Sequence, residues 1–408
     1  MKILVLNAGS SSQKSCLYEI EDDIPQQPLK PIWEAKVDVR YQNSLAEIEV
    51  KTETAKLQEE ISTLSRPEIL AHLLDTMCQG STKVINQLSE IDIVGHRVVH
   101  GGQEYQKSVL ITQDVINTIE RLATLAPAHN PANLEGIKAV QERLGSVPQI
   151  AVFDTAFHSQ IPDVAAIFSG PYEWISQGIR RYGFHGISHQ YCAGRAAQIL
   201  GQDLASLRII NCHLGNGCSL AAIKNGLSIN TTMSFTPLDG LMMGSRSGAI
   251  DPGLLIHLLR QNNYTLEELD HILNKSSGLL GISGISSDMR EIRNSISEGN
   301  ERAQLAYDIY IHRLRYYIGA MIADLQGLDV LVFTAGVGEN SADVRENVCE
   351  AFDFLGVKID KTKNHHQPVD VDIAVPESQV RVLVIHTQED WQIACECWTH
   401  YLSNQNKT

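Results

Sequence analysis

The sequence contains no long apolar run. No stretch of the 408 residues approaches the roughly 18 consecutive apolar residues that identify a membrane-spanning helix. The first residues, MKILVLNAGS, lead straight into a strand-like pattern and show no signal-peptide organisation. We therefore expect a cytoplasmic protein with no membrane partner.

An excess of positive charge is also missing. Lysine and arginine total 33 against 48 aspartate and glutamate, which gives a formal net charge of −15. Proteins that bind nucleic acids or anionic membranes generally need a basic face to neutralise phosphates. The composition argues against a nucleic-acid partner and requires that any anionic substrate be held by local positive groups.

Two common site motifs are absent. The eight cysteines show no paired C-x-x-C spacing of a zinc site, so we interpret them as reduced thiols that mostly fill the core. No G-x-x-x-x-G-K-[ST] phosphate loop occurs either. That absence excludes the commonest nucleotide-binding fold, and Lys14 is not a P-loop lysine, although it lies close enough to a turn to reach a phosphate.

Two stretches share one design. MKILVLNAGSSSQKSCLYEI and LASLRIINCHLGNGCSLAAIKNG each read as a strand, a small polar turn and a returning strand. One such stretch alone would indicate only an ordinary tight turn between two strands. The pair favours phosphate cradles made from backbone N–H groups and short polar side chains. If two halves face each other, both turns point into one cleft. The turn residues are Asn7, Gly9, Ser10, Ser11 and Ser12 in the first and His213, Gly215, Asn216 and Gly217 in the second.

The order of predicted elements indicates two α/β domains. The chain exceeds the roughly 250 to 300 residues that one core supports, and a strand meander followed by alternating helices and strands occurs twice. This pattern is typical of the duplicated actin-like, ribonuclease H-like fold, with a nucleotide cleft between its halves. We expect an N-terminal domain at 1–154 with 391–408 returning to it, and a C-terminal domain at 155–390 that binds nucleotide and contacts a second copy.

Predicted strands and helices alternate through both halves. The predicted strands are Lys2–Asn7, Gln13–Glu19, Pro31–Val39, Ala46–Val50, Ile91–Val99, Gln149–Asp154, Arg208–Cys212, Ser219–Lys224, Leu227–Asn230, Asp329–Thr334 and Arg381–His386. The predicted helices are Arg66–Cys78, Thr112–Leu125, Asn133–Leu144, Ser188–Leu200, Pro252–Gln261, Thr265–Lys275, Glu301–Gln326, Ser341–Phe354 and Glu389–Leu402.

Nine sequence blocks carry a resemblance to a known family. They are NAGSSSQK, GHRVVHGG, APAHNPANL, FDTAFH, YGFHGISH, HLGNGCS, FTPLDGLMMGSRSGAIDP, SGLLGISGISSDMR and FTAGVGENS. With these blocks in this order, from residue 3 to about residue 391, the chain resembles the acetokinase family of the actin-like ATPase superfamily. The resemblance implies a reversible, Mg²⁺-dependent phosphoryl transfer between ATP and acetate that gives ADP and acetyl phosphate. It also implies a homodimer.

The resemblance assigns roles residue by residue. Arg97 and Arg246 would hold acetate and the transferring phosphoryl group, whereas an isolated arginine more often forms a surface ion pair. Both are expected in glycine-flanked loops. His185 would donate to the equatorial oxygens, Asp154 would act beside the acyl group and the metal, and Asn7 and Glu389 would hold Mg²⁺, or Mn²⁺ in its place. His129 and His213 are weaker candidates for the role of His185.

Two further groups follow from the resemblance. The acyl pocket would be lined by Val99, Phe184 and Pro237 together with Arg97. The nucleotide would contact Ser12, Lys14, His213, Gly215, Asn216, Gly217, Asp288, Met289, Arg290, Gly336, Val337, Gly338, Glu339 and Asn340. Both SGLLGISGISSDMR and FTAGVGENS are expected to be glycine-rich loops, although strand-to-helix glycines also serve simple packing.

One departure from the family pattern bears on the substrate. Ala128 stands where the family commonly has leucine at the wall of the acyl pocket. The smaller side chain favours a propionate kinase or a broader short-chain carboxylate kinase as the alternative to acetate. A non-catalytic ATP-dependent switch is a second alternative, but the paired arginines in their motifs argue against it.

Overall fold

The computed structural model describes residues 1–9, 12–21, 23–40, 45–63, 65–127, 129–261 and 264–405. Ser10 and Ser11 of the first turn, and Ala128 of the acyl pocket, lie outside the described residues. The chain forms two compact units. The first comprises Met1–Ala156 and Gln388–Thr408, and the second comprises Phe157–Thr387.

Strands and helices alternate in both units. The strands are β1 Lys2–Ala8, β2 Ser12–Glu19, β3 Trp33–Arg40, β4 Leu45–Thr52, β5 Lys56–Ile61, β6 Ile93–Val98, β7 Val109–Leu110, β8 Gln149–Phe153, β9 Arg208–Leu214, β10 Cys218–Lys224, β11 Leu227–Thr231, β12 Val330–Thr334, β13 Val371–Asp372 and β14 Arg381–Val384. The helices are α1 Arg66–Cys78, α2 Gln113–Arg121, α3 Asn130–Leu144, α4 Asp163–Ala166, α5 Gly186–Leu200, α6 Pro252–Gln261, α7 Leu266–Lys275, α8 Gly278–Ser283, α9 Met289–Ser297, α10 Glu301–Leu325, α11 Ala335–Asn340, α12 Ala342–Glu350, α13 Lys361–His365 and α14 Glu389–Gln405.

The two sheets share a central strand order. The sheet of the first unit has the order β5-β4-β3-β2-β1-β6-β8-β7, and that of the second has the order β11-β10-β9-β12-β14-β13. An antiparallel meander of five strands, β1 to β5, opens the first unit, and one of three strands, β9 to β11, opens the second. In each unit two further strands run parallel to the first strand of the meander, β6 and β8 in one and β12 and β14 in the other. The predicted pair of hairpins and the predicted duplicated α/β fold are confirmed.

Parallel pairing decides where the polar residues of the first unit meet. β1 pairs with β6 and β6 with β8, with Leu6 opposite His96 and Val98 opposite Phe153. Because parallel strands end at the same edge of a sheet, the residues at their carboxyl ends come together there. Asn7, Arg97 and Asp154 occupy these ends.

The C-terminal helix packs onto this sheet at a glycine. Helix α14 contacts β1 and β6. A Cβ atom added to Gly95 on β6 would lie 2.6 Å from both Cys397 Sγ and Ile393 Cγ2 of that helix. Residue 95 must therefore lack a side chain for α14 to lie this close, and the seating of α14 determines where Glu389 and Asp390 lie.

Several predicted elements are wrong in extent or kind. The stretch SGLLGISGISSDMR is not a loop, because it contains α8 and the start of α9. The stretch FTAGVGENS enters α11 directly after β12. Arg97 lies within β6 and not in a loop. Strands β5, β7 and β13 and helices α4 and α13 were not predicted, since each is short or edge-lying and carries little periodicity of its own.

Glycine content explains the misassigned loops. Gly278 begins α8 at φ +62°, and a Cβ there would lie 2.2 Å from the Met243 carbonyl oxygen. Such glycines permit close backbone approach, and tertiary contact then stabilises a helix that propensity alone disfavours.

No helix in the described part of the chain has the length and apolar character needed to cross a membrane.

We expect Gly95→Ala to destabilise the first unit, because the added methyl group must displace α14. Overpacking of this kind typically lowers the free energy of unfolding by about 1–3 kcal/mol. Gly136→Ala is the matched control, since a Cβ at this position in α3 has no neighbour within 4 Å. The control should raise stability by about 0.5–1 kcal/mol through helix propensity. Urea-unfolding midpoints measure both changes, and equal midpoints for the two variants would contradict the packing argument.

Candidate functional site

A buried ion pair lies at the carboxyl edge of the first sheet. Arg97 Nε donates to both carboxylate oxygens of Asp154 at 3.1 Å, and Arg97 Nη2 lies 2.6 Å from Asp154 Oδ2. Asp154 is buried, and its backbone N–H donates to the Val98 carbonyl at 3.0 Å. The strand pairing therefore extends to Asp154. Two guanidinium nitrogens of Arg97, Nε and Nη2, face the Asp154 carboxylate.

Asn7 links this pair to the start of α14. Its Oδ1 accepts from Arg97 Nη1 at 3.3 Å. Its Nδ2 donates to Glu389 Oε2 at 3.2 Å and to Asp390 Oδ1 at 3.0 Å. We call Asn7, Arg97, Asp154, Glu389 and Asp390 the acidic cluster.

The acidic cluster carries more negative than positive charge. Burial raises the pKa of Glu389, and repulsion from Asp154 and Asp390 adds to this rise, against the attraction of Arg97. The Glu389 carboxyl group is therefore less readily ionised than a solvent-exposed one.

Lys14 lies beside the acidic cluster. Its Nζ is 2.8 Å from Asp390 Oδ2 and 3.8 Å from Glu34 Oε1. Although burial opposes it, the attraction of Asp390 raises the pKa of Lys14 above its ordinary value. Ser12, which was predicted to contact nucleotide, is exposed at the start of β2.

Val99, a predicted acyl-wall residue of the first unit, is hydrogen-bonded to an amide side chain. Its backbone N–H donates to Asn133 Oδ1 at 3.2 Å, and Asn133 Nδ2 donates to the Ala8 carbonyl at 3.1 Å. Asn133 therefore ties the end of β6 to the end of β1. Sequence reasoning missed Asn133, and its place in the APAHNPANL block is the signal that could have identified it.

In the second unit, His185 lies at the N-cap of α5 in a left-handed conformation, with φ 56°. Its ring stacks on that of His213 with centroids 4.2 Å apart. Its Nδ1 lies 2.9 Å from Ser219 Oγ. His158 Nε2 donates to the Phe184 carbonyl at 3.0 Å and so holds the strained backbone just before His185.

Burial keeps His158 in its neutral form. It lowers the pKa of His158 to about 4. The ring therefore donates from Nε2 without carrying a charge. Phe184, a residue of the predicted acyl wall, is itself buried.

Arg246 is a half-buried cation. In the described part of the chain no carboxylate lies within ion-pair distance of it; its Nη1 donates to the Pro237 carbonyl at 3.2 Å. Burial lowers the pKa of Arg246, yet a guanidinium stays protonated at neutral pH. A buried cation without a carboxylate partner is typical of an anion site.

Arg246 and His185 approach the same glycine. A Cβ added to Gly217 would lie 3.4 Å from Arg246 Nη1 and 3.5 Å from His185 Nε2. The missing side chain therefore leaves a position that both nitrogens border. The turn itself is closed by Gly215 N–H donating to the Gly217 carbonyl at 3.0 Å.

A cavity of about 650 Å³ opens beside this turn. Eight of the predicted nucleotide contacts line it, namely Gly215, Asn216, Asp288, Met289, Arg290, Gly336, Val337 and Asn340. Four predicted contacts of the same unit do not line it, namely His213, Gly217, Gly338 and Glu339. Arg293, Ser287 and Ser341 line it without having been predicted. Arg293 is four residues after Met289 on α9, a spacing that a correct helix prediction would have shown to share one face.

Glu339 points away from the cavity lining. It accepts from Ala335 N–H at 2.8 Å, from Thr387 N–H at 3.2 Å and from His386 Nδ1 at 2.6 Å. These partners outweigh burial and hold the pKa of Glu339 below its ordinary value. Glu339 thus anchors the first turn of α11.

Arg345 anchors the other end of α11, and sequence reasoning missed it. Its buried Nη1 donates to the carbonyls of Gly338 and Glu339, both at 2.8 Å, and its Nε donates to Asn364 Oδ1 at 2.7 Å. Burial lowers its pKa to about 10. Its position between Val344 and Glu346 in the sequence gives no sign of this role.

Asp288 and Arg290 form the rim of the cavity. Asp288 caps α9 by accepting from Arg290 N–H at 2.8 Å, and the two side chains pair at the surface. Within the described residues, no group of three or more His, Cys, Asp or Glu is arranged to hold a metal ion by itself.

Comparison with known proteins gives full-length matches. A sequence model of the acetokinase family matches residues 2–395. An acetate kinase from Nostoc sp. is 66% identical over 400 residues, which cover 98% of this chain and 99% of that protein. An acetate kinase from Gloeobacter violaceus is 61% identical over 402 residues, covering 98% and 99%.

Solved structures agree with the sequence matches. The acetate kinase of Porphyromonas gingivalis is 41% identical with a TM-score of 0.90, covering 98% of this chain and 99% of that chain. A propionate kinase from Francisella tularensis is 38% identical with a TM-score of 0.88, with the same coverage. The family match, the identities and the two sheets of common topology lead to one assignment: the chain belongs to the acetokinase family.

Proposed function

We propose that this protein catalyses the reversible transfer of the γ-phosphoryl group of ATP to acetate, which gives acetyl phosphate and ADP. Membership of the acetokinase family and relatives named acetate kinase at 57–66% identity support the reaction. The observation that carries the proposal is Arg246, a half-buried cation without a carboxylate partner among the described residues, which borders Gly217 together with His185.

Arg246 and His185 stabilise the transferring phosphoryl group. Phosphoryl transfer needs in-line positioning and neutralisation of charge on the equatorial oxygens more than it needs covalent chemistry. Donors that are already oriented supply this without reorganisation during the reaction. The position beside Gly217 is bordered by a guanidinium nitrogen and an imidazole nitrogen, both suited to an anionic oxygen.

Arg97 binds the carboxylate of acetate. Its Nε and Nη2 hold Asp154, whereas its Nη1 bonds Asn7 Oδ1 at 3.3 Å and has no carboxylate partner among the described residues. Nη1 is thus positioned to take an acetate oxygen, and Asp154 keeps the guanidinium in place. Val99, Phe184 and Pro237 supply the apolar wall around the methyl group.

The acidic cluster fits Mg²⁺, with Mn²⁺ as an alternative. Hard divalent ions prefer oxygen ligands, and Mg²⁺ usually takes one or two carboxylates together with substrate phosphates and water. Asn7 Oδ1 and the Glu389 carboxylate supply such oxygens, and the cluster contains three carboxyl groups against one guanidinium. When bound, the ion neutralises charge on the polyphosphate of ATP.

The cavity of the second unit binds the nucleoside of ATP. Its volume of about 650 Å³ lies in the usual range for small-ligand sites. Gly215 and Asn216 of the turn border it together with residues of α9 and α11, and the Arg290 and Arg293 side chains belong to its lining.

A homodimer in the cytoplasm completes the proposal. Helix α6 has ten residues and none of them is buried, although Leu254 and Ile256 are apolar and are 44% and 50% exposed. A second copy of the chain would cover such a face. The eight cysteines, all described, form no disulfide, which suits a reducing compartment.

Propionate is the second candidate substrate. Ala128 removes three carbons' worth of side chain from the position where the family commonly has leucine. A neighbouring solved structure at 38% identity is a propionate kinase. A wider acyl pocket would accept one more methylene.

Acetyl phosphate formation tests the reaction. In a hydroxamate assay we expect the wild type to form acetyl phosphate from ATP and acetate, and Arg246→Ala and Arg97→Ala to lower kcat by roughly 10²–10³-fold, the usual effect of losing one charge-stabilising donor. Arg290→Ala is the control, since its highly exposed guanidinium should affect mainly KM for ATP. ATP hydrolysis without acetate-dependent product would instead support the ATP-dependent switch, and a near-normal kcat for Arg246→Ala would remove its assigned role.

Magnesium titration tests the acidic cluster. We expect Glu389→Gln to raise the half-saturating Mg²⁺ concentration by about tenfold or more, because it removes an oxygen anion from the cluster. Glu396→Gln is the matched control on the same helix, since that carboxylate bonds Ser108 Oγ away from the cluster. An unchanged Mg²⁺ requirement for Glu389→Gln would contradict the assignment.

Acyl-phosphate formation with acetate, propionate and butyrate tests the pocket. Burial of one more methylene contributes about 0.8 kcal/mol, so we expect Ala128→Leu to lower the propionate-to-acetate ratio of kcat/KM about fourfold. A ratio that Ala128→Leu leaves unchanged would refute the wider pocket.

A further inference from the structure

Three buried polar side chains, Asn211, His189 and Ser219, lie in a row next to His185, and we call this row the file. Asn211, His189 and Ser219 each have 0% relative exposure. Asn211 Nδ2 lies 2.8 Å from His189 Nδ1, and His189 Nε2 lies 2.8 Å from Ser219 Oγ. Ser219 Oγ lies 2.9 Å from His185 Nδ1. The file is therefore continuous by hydrogen bonds from a strand residue of β9 to the ring of His185.

The Asn211 amide group determines which ring nitrogen of His189 carries the proton. An amide nitrogen only donates, so His189 Nδ1 accepts from Asn211. Burial, with repulsion from the neighbouring His158 and His213, holds the pKa of His189 well below its ordinary value, and the ring is neutral. Its single proton is then on Nε2, and His189 donates to Ser219.

The Ser219 hydroxyl group then determines which nitrogen of His185 carries the proton. Ser219 has one proton and accepts from His189, so its own proton is donated to His185 Nδ1. A ring that accepts at Nδ1 carries its proton on Nε2. Nε2 is the nitrogen that lies 3.5 Å from a Cβ built on Gly217, next to Arg246.

We infer that Asn211, His189 and Ser219 are positioning residues that hold His185 as the Nε2–H tautomer, so that the nitrogen beside Gly217 is an N–H donor toward the transferring phosphoryl group. The part of this statement that concerns the phosphoryl group rests on the proposed function. The tautomer itself rests only on the hydrogen bonds.

Other contacts of His185 hold the ring in place without determining its protons. The ring stacks on His213 at 4.2 Å with an interplanar angle of 26°. His158 holds the Phe184 carbonyl, which precedes the left-handed residue. Orientation and protonation of His185 therefore depend on different neighbours and can be separated by mutation.

Nitrogen-15 NMR of the full-length protein with labelled histidine tests the tautomer directly. His185→Gln identifies the signals of His185 by their loss. We expect a protonated Nε2 and a bare Nδ1 in the wild type, and nitrogen shifts averaged between the two tautomers in Ser219→Ala. A proton on Nδ1 in the wild type would mean that the file donates in the opposite direction, with Asn211 Oδ1 accepting from His189, and would overturn the inference.

Steady-state kinetics tests the consequence. Ser219→Ala should lower kcat about 10- to 100-fold, which is less than the 10²–10³-fold that removal of a donor produces, with the KM values for acetate and ATP nearly unchanged. Ser108→Ala is the matched control, since it deletes another buried serine hydroxyl bonded to a histidine, 3.0 Å from His400 Nε2 in the other unit. Its kcat should stay at the wild-type value.

A second pair of variants keeps the test independent of folding. The Nε2 amide of His189→Gln replaces the imidazole N–H donor and should retain both the tautomer and kcat, whereas His189→Leu removes the donor and should lose both. Equal kcat for Ser219→Ala and wild type would overturn the positioning role. Absence of acetyl phosphate with the wild type would refute the proposed function alone, because the NMR spectrum would still report the proton.

Discussion

Parallel strand pairing is the constraint on which the rest of the structure depends. In the first unit it brings the carboxyl ends of β1, β6 and β8 to one edge, and Asn7, Arg97 and Asp154 meet there although they are up to 147 positions apart in the sequence. The second unit repeats the topology, and Thr334 at the end of β12 pairs with His213 at the end of β9. Each unit thus gathers polar groups at the same place, because backbone hydrogen bonds leave the strand ends no other arrangement.

The two units differ in the partners that surround their buried or half-buried arginine side chains. In the first, Arg97 pairs with Asp154, and the acidic cluster holds two further carboxyl groups; burial, with repulsion from Asp154 and Asp390, raises the pKa of Glu389. In the second, Arg246 has only carbonyl and sulfur partners at its guanidinium among the described residues. A buried charge is costly without a partner. The polar cluster of the first unit is therefore rich in carboxyl groups, whereas the guanidinium of the second has no carboxylate partner among the described residues.

Buried polar groups behind the site determine its chemistry as much as the residues in front. His158 donates to the backbone carbonyl just before His185, His213 stacks on the His185 ring, and Ser219 bonds His185 Nδ1. Helix α11 is held at one end by Glu339 and at the other by Arg345. These supporting residues are fully or largely buried, where low dielectric strengthens each hydrogen bond.

Short sequence patterns predicted those elements of the fold that depend mainly on neighbouring residues. The hydrophobic periodicity predicted α1 and α6 to their last residue, and the repeated strand–turn–strand design predicted the duplicated fold. Short motifs also identified Arg97, Asp154, His185 and Arg246 as candidates. The helices α8 and α11 were missed, because glycine is a poor helix former and only packing makes these turns helical.

The sequence by itself determined the family, the fold class and the residue types available for chemistry. The tertiary structure alone decided which of these residues pair: that Lys14 lies against Asp390, that Glu339 caps α11 instead of lining the cavity, and that Arg246 has no acidic neighbour in the described chain. Hydrogen bonds and charges act over a few ångströms in space, whatever the separation along the chain, and the distance that matters is therefore set by folding.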